Sequence, residues 1–440
     1  MENNWKNIKL SEIGKIITGK TPSTKEKENF GGKIPFLTPS DDMDSRYVLK
    51  TIRYLTDVGV NKLSNKIVPK NSICTSCIGS QLGKVTITTE DTVSNQQINT
   101  IIPNKNYNYM FVYYLMLLVG KRLNYISKTS TAVPIINKND FSEMVVEVPN
   151  KDIQYRISVI LDSIDSKIEV NNKIIANLEE QAQAIFKSWF VDFEPFQDGN
   201  FVESELGMIP EGWEVKNIKS LMEFETGSEP GAKNYSINKN MRIPFYRVGE
   251  MLSETNIFVK KKLLKDRVTS KEDVLVSFDG TVGRVVTGLV GGYSSGIKKI
   301  TPKVETISSN LIYVLFKSKL IQDIINQNAT GTTILHASKS IDYMYIPYND
   351  EIYSNFSLVI DPLINIIRVL KEENKKLAEI RDALLPKLMS GEIDVSNIKI
   401  KGEEVKNEWN LFRRWFWKNF YKIYWGLRLP LPPSPRNCKR

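Results

Sequence analysis

The sequence predicts an α+β protein in which two repeated domains are separated by two long antiparallel coiled-coil helices. Three observations predict it. The first half of the chain recurs in the second at an offset of about 200 residues, far above solenoid periods. Each half alternates short β-rich runs with turn residues and one amphipathic helix. Each half ends in an apolar strand closed by proline, and the segment after it keeps a heptad.

The repeat is visible as paired words. WKNIKLSEI at 5–13 is echoed by WEVKNIKSL at 213–221, TGKTP at 18–22 by TGSEP at 226–230, and IPF at 34–36 by IPF at 243–245. SICTSCIG at 72–79 lies over DVLVSFDG at 273–280, and FVY at 111–113 over LIY at 311–313. Strands are expected at 72–78, 84–89, 274–278 and 284–289, helices at 109–126 and 310–327, and closing strands at 145–149 and 344–347. The expected division is a first domain 1–150, a central helix 151–192, a linker with the second domain 193–348, a C-terminal helix 349–396 and an atypical tail 397–440.

The two helices carry the sharpest periodicity. Ile157, Leu161, Ile164, Ile168, Asn171, Ile175, Leu178, Ala182, Ile185 and Trp189 step alternately by four and three. So do Phe356, Ile360, Leu363, Ile367, Leu370, Asn374, Leu377, Arg381, Leu384 and Leu388. A period of about 3.5 residues sustained this long marks a coiled-coil seam. Antiparallel pairing with full overlap sets Ile157 opposite Leu388, Trp189 opposite Phe356, and Asn171 opposite Asn374 as a register-fixing polar pair. Pro386 is expected to kink or stop the second helix. The span 157–189 is roughly 50 Å long at about 1.5 Å per residue. A duplex turn is about 34–36 Å, so the expected architecture is a caliper with one reading head at each end. A duplicated protein suits a two-part partner, of which duplex DNA is the commonest.

Composition narrows the function classes. Net charge is +10 over 440 residues, yet residues 401–440 alone hold ten Lys/Arg against three Glu. The body is therefore weakly basic, and nucleic-acid binding has to come from local loops. Three cysteines make no disulfide framework and suit a reducing cytoplasm. MENNWKNIKL lacks the apolar core of a secretory signal, and YMFVYYLMLLVG at 109–120 is too short to span a bilayer, so no membrane partner is expected. A single histidine, His336, excludes triads and His-rich metal sites, and is expected to pack in its loop or sit in solvent. No GxxxxGK[ST] loop for ATP is present. Neither is the FxGxG loop or [DN]PP[YF] tetrapeptide of adenine methyltransferases. Cys74 and Cys77 form a C-x-x-C pair, but no second ligand pair joins them, and they lie over Leu275 and Phe278. They are expected to be buried packing residues and to hold no metal.

Four pairs of loops carry the chemistry that phosphates and base edges require. The first pair holds Lys20, Thr21, Ser23, Lys25, Lys27 and Lys33 in one half, and Lys233, Asn234, Tyr235 and Lys239, followed by Arg247, in the other. The second holds Ser80, Gln81 and Lys84 against Thr281 and Arg284, each with two glycines that permit close backbone approach. The third holds Asn95, Gln96 and Gln97 against Ser294, Ser295 and Lys298, and Asn and Gln are the usual readers of adenine. The fourth holds Thr129 and Ser130 against Thr332. Each signal is weak alone; their recurrence gives them weight.

At the centre, AIFKSWFVDFEPF at 184–196 is followed by ESELGMIPEGWEV at 203–215, and the last helix carries NKKLAEIRDALLPKLMSGEI at 374–393. On these residues the chain resembles the specificity subunit of type I restriction–modification enzymes over about residues 5–400. The resemblance implies two target-recognition domains, each reading half of a split double-stranded DNA site. It implies helices that set the spacer and dock two methyltransferase subunits, with restriction–translocase subunits added. It also implies no catalysis and no cofactor in this chain; S-adenosylmethionine, ATP and Mg belong to the partner subunits. An orphan subunit serving a methyltransferase alone, an enzyme with its own centre, and a coiled-coil scaffold that binds no DNA are the competing expectations. The resemblance ends near residue 400. The tail beyond holds four of the seven tryptophans among Lys and Arg, and is expected to be disordered or non-native.

Overall fold

A computed structural model of the chain describes residues 5–129, 135–240, 242–252, 255–332 and 334–398. Its described part divides into two compact units, one of residues 5–169 with 374–398 and the other of residues 170–373.

In the first unit, β-branched and apolar runs form a mixed sheet in the order Gly14–Thr18, Ile98–Pro103, Ile73–Ser76, Val85–Thr88, Tyr47–Val48. Only the last pairing is parallel. A second sheet runs Arg53–Leu55, Phe30–Leu37, Thr92–Ser94, Ile67–Val68. Lys6–Lys9 pairs antiparallel with Val145–Val148. Helix α1, Tyr109–Thr129, begins where the Asn108 side chain accepts from the Met110 and Phe111 amides, 2.9 and 3.1 Å away. Its residues 110–116 are all buried in the unit's main apolar cluster.

Helix α2, Lys151–Phe190, follows the closing strand. Asn150 caps it by accepting from the Ile153 amide at 3.1 Å. Its first part packs in the first unit and the remainder in the second.

The second unit repeats the order: Met222–Thr226, Ile297–Pro302, Val274–Ser277, Val285–Thr287 in one sheet, and Phe258–Val259, Ile243–Tyr246, Gly291–Tyr293, Val268–Thr269 in the other. The helix expected at 310–327 is broken into α3, Ser309–Lys317, and α4, Lys319–Gln327. The break is chemical: Ser318 takes an extended backbone and its hydroxyl accepts from the Ile321 amide, so it caps a new helix instead of continuing the old. Helix α5, Asp350–Met389, is capped by Asn349, whose side chain accepts from the Ile352 amide at 3.2 Å. It runs past Pro386 and ends within a turn of it. By length and composition α5 is apolar enough to cross a bilayer. Here Phe356, Ile360, Leu363 and Ile367 are buried in the core of the second unit.

The heptad pairs α2 with α5 antiparallel inside each unit. In the first, Ile157 and Leu161 share a cluster with Leu385 and Leu388, while Ile164, Ile168, Leu377 and Leu384 are half-buried. In the second, Ile175, Leu178, Ala182 and Trp189 share a cluster with Phe356, Ile360, Leu363 and Ile367, with Ile185 and Leu370 half-buried against it. Asn171 is fully buried and donates to Glu373 at 2.7 Å. Asn374 is half-buried.

A polar motif ties each domain to the helices. In the first unit the Tyr114 hydroxyl donates to Asp165 of α2 at 2.8 Å, and Arg381 of α5 donates to the same carboxylate at 2.9 Å. In the second, the Tyr313 hydroxyl donates to Glu179 of α2 at 2.7 Å, which also accepts from Lys371 of α5 at 3.2 Å. A tyrosine, a helix carboxylate and a cation recur because a buried carboxylate requires partners.

Cys74 and Cys77 are buried, and both are free thiols. Three residues apart at the end of a strand, they point to different clusters: Cys74 packs with Leu37, Met43, Val48 and Ile98, and Cys77 with the main cluster. Leu275 and Phe278, their counterparts, are buried too.

Candidate nucleic-acid interface

In each unit, backbone hydrogen bonds join the first loop to the third, the strand end that leads into the second loop to the third, and that same strand end to the segment following the fourth, beyond the same end of the sheet that contains Ile73–Ser76 or Val274–Ser277. In the first unit Lys20 donates its amide to Ser94, Cys77 to Gln97 and Ile136 to Cys77, at 2.8, 2.8 and 3.0 Å. In the second, Ser228 donates to Tyr293, Phe278 to Gly296 and Ala337 to Phe278, at 2.9, 2.8 and 2.7 Å. Loops far apart in sequence therefore form one polar rim per unit.

The rim sorts the expected residues. In the first unit Lys20, Ser23, Lys25, Lys27, Lys33, Ser80 and Gln96 are exposed. Thr21, half-buried, donates its hydroxyl to Gln96 at 2.8 Å, so the first and third loops also meet through side chains. Gln81 and Gln97 are half-buried. Asn95 is buried and spends its amide on the turn: its Oδ1 accepts from the Gln97 amide and its Nδ2 donates to the Gln97 side chain. Lys84 is paired with Asp44. Thr129 ends α1, and Ser130 lies outside the described residues.

In the second unit Lys233, Lys239, Arg247, Thr281, Ser295 and Thr332 are exposed. Asn234 bonds the Pro230 carbonyl at 2.5 Å, and Tyr235 packs on Phe245 with ring centroids 5.6 Å apart. Arg247 is paired with Glu250, which raises its pKa further. Ser294 is buried in its turn. Ser295 donates its amide and its hydroxyl to Glu229, at 3.0 and 2.8 Å. Arg284 donates to the Val248 carbonyl at 2.7 Å. Burial holds the half-buried Lys298 ammonium below its ordinary pKa, with Asp279 opposing, and it donates to the Thr226 hydroxyl at 2.8 Å.

The two glycines of the second loop divide the work expected of both. Gly79 and Gly280 have left-handed φ of 75° and 71° and crowd no backbone, leaving the rim open there. Gly83 instead abuts the helix: a Cβ on it would lie 2.1 Å from the Gly120 carbonyl oxygen of α1. At Gly283 a Cβ would lie 2.5 Å from Gln322 of α4. The second glycine of each pair serves packing, and the close approach it permits is to the protein's own helix.

Sequence reasoning missed Asp279 and His336, whose side chains meet on the second rim with Oδ1 and Nδ1 2.8 Å apart. The available signal was Asp279 standing over Ile78, a charge at an otherwise apolar strand end. It also missed Arg46, whose guanidinium bonds Glu169 of α2 twice, each at 2.8 Å.

Comparison with known proteins follows the same two halves. A family model described as the type I restriction modification DNA specificity domain matches residues 2–180 and 210–348. The chain is 30% identical over 413 residues to the type I restriction enzyme MjaIX specificity subunit of Methanocaldococcus jannaschii, covering 90% of this chain and 94% of that one. It is 33% identical over 181 residues to the HindI specificity subunit of Haemophilus influenzae, covering 40% and 39%. Among solved structures, the type I restriction–modification S subunit from M. genitalium shares the fold with a TM-score of 0.51 at 17% identity, over 88% of this chain and 96% of that one.

Proposed function

The chain belongs to the type I restriction–modification DNA specificity family, and from that membership we propose how its two rims divide the work. The protein is the DNA sequence-specificity subunit of a type I restriction–modification system, and its role is recognition without catalysis. Each unit reads one half of a split duplex site through its loop rim. The observation that carries this is the recurrence of the rim: corresponding loops meet through matching backbone bonds beyond the corresponding sheet in both units, with different side chains on them. A fixed frame carrying variable polar loops suits readout of two different half-sites.

The paired helices dock two methyltransferase subunits, and restriction–translocase subunits join that assembly. Adenine methylation with S-adenosylmethionine and ATP-driven translocation with Mg belong to those partners. The complex works in the cytoplasm, where its DNA is. The family membership supports these finer assignments.

Methylome sequencing of a host with and without this gene tests the reading. A split adenine-methylated motif is expected only with the gene. Exchanging residues 1–150 for those of a relative is expected to change one half of that motif; a change in both halves would refute independent rims.

A further inference from the structure

We propose that Asp279 and His336 form a base-reading pair of the second unit, accepting the exocyclic amino group of a cytosine in the major groove. The proposal rests on the reading of the rims as DNA-recognition surfaces and names the chemistry at one point of one rim.

The pair is built into the backbone. Asp279–Gly280 and Leu335–His336 form a short antiparallel ladder with Asp279 opposite His336. On its other side His336 exchanges both backbone hydrogen bonds with Thr330, at 2.7 and 3.0 Å. The Asp279 amide donates to the Gly296 carbonyl at 3.2 Å, and a Cβ on Gly296 would come within 3.1 Å of the Asp279 Cβ. The glycine makes the room that Asp279 occupies. The two side chains remain accessible, at 33% and 61% exposure. With the proton on Nδ1, His336 donates to Asp279 Oδ1 and leaves two acceptors, His336 Nε2 and Asp279 Oδ2. A paired cytosine keeps one amino hydrogen free in the major groove for one such acceptor, and a carboxylate accepting from cytosine N4 is an established base contact.

The first unit supplies an internal comparison. There the same bridge joins Ile78 and Ile135. The flanking bond from Ile136 to the Cys77 carbonyl matches that from Ala337 to Phe278. Ile135 is 62% exposed and offers only methyl groups, which suit the methyl of thymine. The frame is held constant while the chemistry at one accessible point changes from apolar to polar, as expected where a base is chosen. Lys298, which feels the Asp279 charge, lines an open cleft of about 310 Å³ with Lys339 and with Lys219, the last paired with Asp342. Cations next to a base-reading point are suited to hold the adjoining phosphates.

The full chain, assembled with its methyltransferase subunits, tests this by motif sequencing and by binding to duplex libraries randomised in each half-site. Asp279→Asn, His336→Gln, and the double change Asp279→Ile with His336→Ile are each expected to lower discrimination at one base pair about tenfold. That base pair is expected to lie in the half-site read by the second unit, with the other half unchanged. The reciprocal change, Ile78→Asp with Ile135→His, is expected to alter only the opposite half. An unchanged motif in all four variants overturns the proposal. Should the double changes lose both halves together, through misfolding, His336→Gln decides, because it keeps the backbone bridge; an unchanged motif there overturns the proposal. If the unaltered chain itself shows no sequence preference, the recognition reading fails instead.

Discussion

Trp189 and Phe356 meet with ring centroids 5.5 Å apart and planes inclined by 59°. They stand near the end of α2 and the start of α5, where Phe186 and Phe190 also reach Phe356. Phe356→Ala is expected to destabilise the second unit by about 3–5 kcal/mol, since the aromatic cluster cannot collapse into the space left. Chemical denaturation resolves this; a loss under about 1 kcal/mol would mean that the cluster relaxes freely. Leu377→Ala, at a half-buried seam position, is expected to cost clearly less.

Arg46 holds the first recognition domain to α2. Its side chain is buried while Asp162 and Glu169 keep much of their exposure. Arg46→Met removes charge-assisted bonds but leaves wet carboxylates, so the expected loss is about 2 kcal/mol. Thermal unfolding reads it. Arg46→Lys is expected to recover only part, because a single ammonium cannot reproduce the bidentate grip on Glu169.

Acid is expected to weaken the second unit through Glu179. Burial by itself would raise this carboxyl, but Lys317, Lys371 and the Tyr313 hydroxyl outweigh it and hold the pKa at about 2. A depressed carboxylate contributes stability that is full above its unfolded value of 4.5 and is lost as pH falls towards 2. Glu179→Gln is expected to be less stable than the parent by on the order of 2 kcal/mol at neutral pH. The gap should close as pH falls from 4.5 to 2. Urea unfolding at several pH values measures it, and a pH-independent gap would refute the ion-pair account.

The buried thiols should be inert. Burial pushes Cys74 up to about 12 and Cys77 up to about 11, with weaker opposing bonds from Thr100 and Asn99. Little thiolate exists near neutrality, so peptide-resolved alkylation of the folded protein is expected to spare both and of the unfolded protein to label both. Labelling of the folded protein at either site would contradict the burial.

Glycine changes in the second loop should separate rim from packing. Gly79→Ala is expected to cost about 1–2 kcal/mol, from the left-handed backbone alone. Gly83→Ala is expected to cost more, because the added carbon meets the Gly120 carbonyl of α1. Equal costs in denaturation would contradict the packing role.

Much of this was legible in one dimension. Duplication shows as matched words, and a seam shows as period, because both are properties of residue order. The stagger that sets Trp189 against Phe356 followed from heptad arithmetic alone, since an antiparallel pair has one register that aligns both seams. The packing role of Cys74 and Cys77 followed from their apolar counterparts Leu275 and Phe278.

Other features depend on which atoms meet, and residue order does not state that. The break at Ser318 is a competition between one hydroxyl and a continuing helix, which propensity does not resolve. The division of labour between Gly79 and Gly83 appears only when Gly120 is found against the second. Asn95 and Ser294 have the chemistry of readers but are consumed by their own turns. Asp279 and His336 are 57 residues apart in the chain, and only the ladder at the sheet end brings them together. Periodicity and repetition determined the frame; long-range backbone pairing decided which side chains on that frame stay exposed on the rim.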